Sequence, residues 1–226
     1  MYIIFALKKI NLNFKGVFIK KIVMQGDSIT DFGRAREGVN ENSKLGTGYA
    51  NLTAAALLAK YPEKDLKFYN RGISGNRVVD LYARWKTDAL NLNPDIITIL
   101  IGINDIWHER DWQNGVEIDR FEQIYDMMIC YSKKMLPNVK FVLLSPFILD
   151  CGVIDDFFKE NVVIYAAAVK RLAEKYGAAY IDTQAIFDEA IKKAEPAYWA
   201  ADGVHPTPAG HTLILEALQK ELEKLI

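Results

Sequence analysis

The sequence predicts an α/β protein, a three-layer sandwich built on a central five-stranded parallel sheet. Three observations lead there. Five short apolar runs alternate with longer stretches of helical period. The middle run is apolar and β-branched almost throughout, as expected of a strand covered on both faces. Each run is separated from the next by enough chain for a helical crossover, which favours parallel pairing.

Lys21–Gln25 is the first strand and ends at Gly26. In Gly48–Lys60, Tyr49, Leu52, Ala56 and Ala59 recur every three or four residues, so this stretch is a helix, stopped by Pro62. Lys67–Asn70 is a short second strand. Val78–Leu90 sets Val78, Leu81, Tyr82, Trp85 and Ala89 on one helical face. Ile96–Ile101, between Pro94 and Gly102, is the central strand, followed by a long helix over Asp119–Leu136 and a buried strand over Val139–Leu144. Asp156–Tyr176 is a helix closed by Gly177, Ala179–Ile181 the last strand, and Thr183–Lys193 a helix. Thr207 then caps a terminal helix with Pro208 at its first position.

The 226 residues are 50% apolar and 25% charged, a globular average. No stretch reads as a linker, so residues 1–20 are an extension and residues 21–226 one domain. With 28 basic against 29 acidic side chains and a pI near 6.3 there is no basic footprint for nucleic acid. No apolar run is long enough to span a bilayer, so no membrane partner is expected. Met1–Leu7 is apolar but has no basic region before it and no small-residue cleavage pattern after it. It reads as a short strand or a tail packed on the body, which places the protein in the cytoplasm. Cys130 and Cys151 have no CxxC spacing and read as reduced core residues. No Walker motif or H-E-x-x-H is present, and no cofactor or metal is expected.

Ligands in wound parallel sheets bind beyond the carboxyl ends of the strands. Polar blocks stand at those positions: Gly26-Asp27-Ser28-Ile29-Thr30, Asn70-Arg71-Gly72-Ile73-Ser74-Gly75-Asn76 and Gly102-Ile103-Asn104-Asp105. A fourth, Asp202-Gly203-Val204-His205-Pro206, precedes the last helix. Ser28 follows a buried strand, and a serine hydroxyl needs a base within hydrogen-bond reach. His205 is the candidate base, with Asp202 three residues before it to hold the other ring nitrogen. Ser74 is a decoy, because Gly72-Ile73-Ser74-Gly75-Asn76 lacks the final glycine and the spacing of a nucleophile elbow.

Together and in this order, the blocks resemble the SGNH (GDSL) hydrolase superfamily over nearly the whole chain from about Lys21. Gly33-Arg34-Ala35-Arg36, Leu45-Gly46-Thr47-Gly48-Tyr49, Arg84-Trp85, Ile106-Trp107 and Val204-His205-Pro206 make the sequence similar to the intracellular acetylxylan esterases and bacterial carbohydrate deacetylases of that group. The resemblance implies a flavodoxin-like sheet and a serine esterase with Ser28, Asp202 and His205 as catalytic residues. It assigns the oxyanion donors to the N–H of Ser28, the N–H of Gly75 and the amide of Asn104. It also implies a small acetylated sugar as substrate and a homo-oligomer.

Trp107, Trp112, Tyr198 and Trp199 cluster in sequence around the expected mouth and are candidates to stack on sugar rings. His108 is expected on a loop at the rim, and Arg34 and Arg36, near Ser28, either to order the loop or to line the entrance. Asp27, Asp31 and Asp105 are expected to hold loops by accepting backbone hydrogen bonds, and His211 to be structural. Other readings of the same residues remain: an esterase or lysophospholipase acting on other short acyl esters, a metallohydrolase using Asp27, Asp105, Asp202 and His205, or a non-catalytic carbohydrate-binding domain.

Overall fold

The computed structural model describes residues 20–37 and 42–226, with the side chains of all but 42 and 43. The extension expected over the first residues lies outside the described residues up to position 19. The chain runs β1 (Lys20–Gly26), α1 (Ser28–Asp31), α2 (Tyr49–Lys60), β2 (Leu66–Asn70), α3 (Val78–Asp88), β3 (Ile96–Leu100) and α4 (Ile103–Trp112). It continues through α5 (Ile118–Met135), β4 (Lys140–Leu144), α6 (Asp156–Tyr176), β5 (Ala179–Ile181), α7 (Thr183–Ala190), α8 (Pro196–Trp199) and α9 (Pro208–Glu223).

All five strands are parallel, in the order β2-β1-β3-β4-β5. Strand order therefore reverses between β1 and β3, and the crevice of such a sheet opens beyond their carboxyl ends. Gly26 ends β1 opposite Leu100 at the end of β3, and Met24 pairs with Asn70 at the end of β2. The loops leaving β1 and β3 thus start level, and the loop leaving β2 starts two residues lower, beside Met24.

The helices form two packed groups. The first joins α2, α7 and α8 to α9, and the second runs from α3 through α5 to α6, with α4 against α6. Ile22, Val23, Met24, Ile97, Ile99, Val142, Leu143 and Leu144 are fully buried between them, which is why β1, β3 and β4 tolerate apolar residues on both faces. Each such side chain contributes about 1.5–3 kcal/mol relative to an exposed position.

Two elements depart from the sequence reading. Ile103–Trp112 is helical, although no helix was expected there and His108 was placed on a loop; of its ten residues only the first four are buried, so no apolar stripe announces it. Cys130 is exposed on α5 and Cys151 half-buried, so neither is a core residue, and both are free thiols.

The second helix group contains a buried polar pair, Trp85 Nε1 donating to Ser132 Oγ at 2.8 Å, with Ser132 Oγ donating in turn to Met128 O. Ser132→Ala strands the indole N–H in the core, so the variant should lose about 1–3 kcal/mol of stability. A urea titration with an unchanged midpoint would show that the bond contributes nothing.

Candidate active site

Ser28 opens α1 immediately after β1, and Asp27 caps that turn, its Oδ1 accepting from Ile29 N–H at 3.0 Å. Ser28 Oγ lies 2.8 Å from His205 Nε2, and His205 Nδ1 lies 2.6 Å from Asp202 Oδ2. The carboxylate can only accept, so the ring proton belongs on Nδ1 and the lone pair of Nε2 faces the hydroxyl. Asp202 Oδ1 also accepts from the N–H groups of Val204 (2.9 Å) and His205 (2.7 Å). Burial alone would raise this carboxyl, but His205 and the two backbone donors outweigh it and hold it below the usual carboxylate range.

Gly203 makes this tight acid–base loop feasible. Its φ is +84°, and a Cβ there would stand 2.5 Å from Cys151 O and 2.6 Å from Leu149 O, so a side chain is barred by both conformation and space. The loop is braced on that neighbouring segment: Leu149 N–H donates to Gly203 O and Val153 N–H to Asp202 O. Thr207 then caps α9, its hydroxyl accepting from Gly210 N–H.

The donors expected for an oxyanion follow the ends of β1, β2 and β3. Among the described residues, the N–H groups of Ser28 and Gly75 meet no protein acceptor. Asn104, buried in the first turn of α4, donates one amide hydrogen to Asn76 O at 3.2 Å and keeps a second. Gly75 has φ +80° with open space around a would-be Cβ. The requirement for glycine there is the backbone angle, and not the close approach of a neighbour.

Of the two roles open for Arg34 and Arg36, the structure shows loop-ordering, through a clamp on the Gly75 loop whose partners the sequence did not reveal. Arg36 pairs with Asp31 through both guanidinium nitrogens, at 3.0 and 2.6 Å, and Asp31 Oδ2 accepts from the N–H (3.0 Å) and hydroxyl (2.8 Å) of Ser74. Arg34 Nε donates to Gly72 O at 2.7 Å, and Arg84 Nε to Asn76 Oδ1 at 2.7 Å. Burial would raise Asp31, but Arg36 and Ser74 outweigh it and keep its carboxyl low. Nothing in the spacing of these residues foretells that they meet.

Asp27, Asp31 and Asp105 all accept backbone hydrogen bonds, as expected, Asp105 from Val78 N–H with both oxygens. Of the candidate aromatics, Trp107 stands beside the base, with ring centroids 6.1 Å apart, and is anchored through Nε1 to Asp111. Trp112 is exposed and meets His108 edge-on; Tyr198 meets Trp199 in the same way. Among the described residues, no ring contact joins these three to His205. His108 sits within α4 and not on a loop. His211 is buried against Phe32, and its Nδ1 accepts from Tyr49 N–H. Among the described residues no group of three His, Cys, Asp or Glu could hold a metal ion.

A profile of the GDSL-like Lipase/Acylhydrolase family matches residues 25–213. Over 208 residues the chain is 38% identical to the acetylxylan esterase of Geobacillus stearothermophilus, covering 90% of this chain and 94% of that protein. The crystal structure of that esterase superposes with a TM-score of 0.81 over 90% of this chain and 94% of the other. Structures of two variants of it, one replacing a serine and one a histidine by alanine, are described as catalytic mutants, with TM-scores of 0.81 and 0.82. LAE5, an α/β hydrolase enzyme from a Lake Arreo metagenome, is 34% identical, with a TM-score of 0.82 over 93% of this chain and 99% of its own.

Asp27 gives the site a pH signature. Burial pushes its carboxyl from an ordinary 3.8 up to about 7, and its Oδ2 is buried without a partner. The unfolded chain releases this proton near pH 4 and the folded chain only near 7, so the stabilisation present at low pH is lost as pH rises between them. Asp27→Asn keeps the acceptor for Ile29 and carries no charge. It should match the parent near pH 4 and exceed it by a few kcal/mol at pH 8; equal unfolding midpoints at both pH values would refute the shift.

Proposed function

The chain belongs to the GDSL-like Lipase/Acylhydrolase family and is a serine-type carboxylic ester hydrolase, and from that premise we propose that it removes acetyl groups from xylo-oligosaccharides or similar acetylated sugars. The observation that supports the reading is the unbroken hydrogen-bond chain from Asp202 Oδ2 through His205 to Ser28 Oγ. The near full-length likeness to an acetylxylan esterase supports the choice of acyl group and alcohol.

In this reading Ser28 Oγ attacks the acetyl carbonyl carbon while His205 Nε2 takes the hydroxyl proton. Asp202 stabilises the imidazolium, already oriented by the two backbone donors on its other oxygen. The carbonyl oxygen becomes an oxyanion and is met by the N–H of Ser28, the N–H of Gly75 and the amide of Asn104; each such donor is worth about 10² to 10³ in turnover. The C–O bond to the sugar breaks, and the sugar oxygen receives the proton from His205. Water then repeats the sequence on the acetyl-serine, with His205 as base, and releases acetate.

Trp107 flanks the base and offers a ring for a sugar to stack on. Asn104 supplies a neutral donor, which stabilises the oxyanion without shifting the charge of the resting site.

Ser28→Ala should lower kcat by about 10⁴ to 10⁶ with little change in Tm, measured as acetate release from acetylated xylo-oligosaccharides and from an aryl acetate. Retained activity would move the nucleophile elsewhere. Asp202→Asn should cost up to about 10⁴ in kcat through loss of the tautomer lock. Comparable kcat/KM for the aryl acetate and the acetylated sugar in the parent enzyme would count against a sugar as the substrate.

A further inference from the structure

Beside the candidate site lies a cavity of about 340 Å³ that the proposed acyl-transfer chemistry does not use. Arg34, Arg36, Lys44, Lys67 and Arg71 line it, together with Phe68 and Tyr69. No acid lines it among the described residues. Asp31 reaches its edge only through its pairs with Arg34 and Arg36. Arg71 is different from those two: its guanidinium makes no hydrogen bond or ion pair to a described residue, and its Nε is buried without a partner. The crowding of cations is felt by Arg34, which burial, then Arg36 and Arg71, push down to about 10. An unpaired, partly buried guanidinium is costly unless an anion completes it.

The cavity shares a sheet edge with the nucleophile. Arg71 directly follows β2, and its N–H donates to Met24 O on β1, four residues before Ser28. Its wall continues into the site, because Arg34 and Arg36 both hold Gly72 O of the Gly75 loop. Guanidinium groups matched to a carboxylate, next to aromatic rings, are what an acidic sugar requires. The volume lies at the lower end of the range for small-molecule sites.

We propose that this cavity is a subsite for the carboxylate of a uronate unit carried on the acetylated oligosaccharide, with Arg71 as its main anion-binding group. The proposal deepens the sugar-esterase reading and rests on it. It predicts selection for acidic acetylated fragments over neutral ones at the same Ser28.

The test compares kcat/KM for a neutral acetylated xylo-oligosaccharide, a uronate-bearing one and an aryl acetate, in the parent enzyme and in Arg71→Gln. The parent should favour the uronate-bearing sugar over the neutral one by about tenfold, as one charge-assisted contact allows. That ratio should fall toward one in Arg71→Gln and with rising salt. A ratio near one in the parent, or one that neither the substitution nor salt changes, overturns the subsite. Turnover of the aryl acetate alone would instead overturn the sugar reading.

A binding measurement then judges the cavity separately. Free glucuronate should raise the Tm of the parent more than that of Arg71→Gln. Stabilisation by inorganic phosphate without stabilisation by glucuronate would refute a sugar acid as the ligand. Should Arg71→Gln not fold, the salt dependence of the parent's substrate ratio decides the question.

Discussion

A serine hydroxyl becomes a nucleophile only while a base holds its proton, and the proposed pair, Ser28 and His205, meets across 177 residues of chain. Their meeting depends on the reversal of strand order between β1 and β3. That reversal leaves an open crevice where the loops from β1 and β3 start level with one another and the β2 loop starts two residues lower. The acid–base pair arrives from outside the sheet, on the loop between α8 and α9, and has no strand to position it. Its internal shape comes from carboxylate hydrogen bonds, Asp202 binding two N–H groups of its own loop and one of the imidazole, and its place comes from the backbone bonds of Leu149 and Val153.

The site also shows how one residue type is given different charges. Asp31 meets a paired guanidinium and two hydrogens of Ser74 and stays ionised. Asp27 and Asp105 are buried with only backbone donors, and burial raises them to about 7 and about 8. His211, likewise buried, is pushed down to about 4 by burial and by the charge of His205. The second histidine near the base therefore stays neutral where the unfolded chain would protonate it. Its contribution to stability is complete above pH 6.5 and is lost as pH falls toward 4.

Much of this was legible from sequence because the determinants are local. Runs such as Ile96–Leu100 declare a buried strand by composition, and Thr207-Pro208 declares a helix start by its cap. Ser28, Gly75, Asn104, Asp202 and His205 stand in blocks at strand or helix ends, which is where such a fold puts chemistry. What escaped was set by tertiary contacts. The helix over Ile103–Trp112 is held by its first turn and its place against α6, and not by an apolar period. The Arg36–Asp31–Ser74 clamp joins residues whose pairing depends on how two loops cross. Cys130 has no sequence mark that separates an exposed thiol from a core one.

The bracing of the acid–base loop has a consequence for redesign. Gly152 is so close to Asp202 that a Cβ on it would stand 2.4 Å from the Asp202 Cα, and Leu149 and Val153 are bonded to the loop on either side. Residues 149–153 and 202–205 therefore behave as one mechanical part. A library that diversifies the first stretch while leaving the second intact would mostly sample displaced imidazoles. Recombination with a relative would have to exchange the two stretches as a unit to keep the proton relay in register.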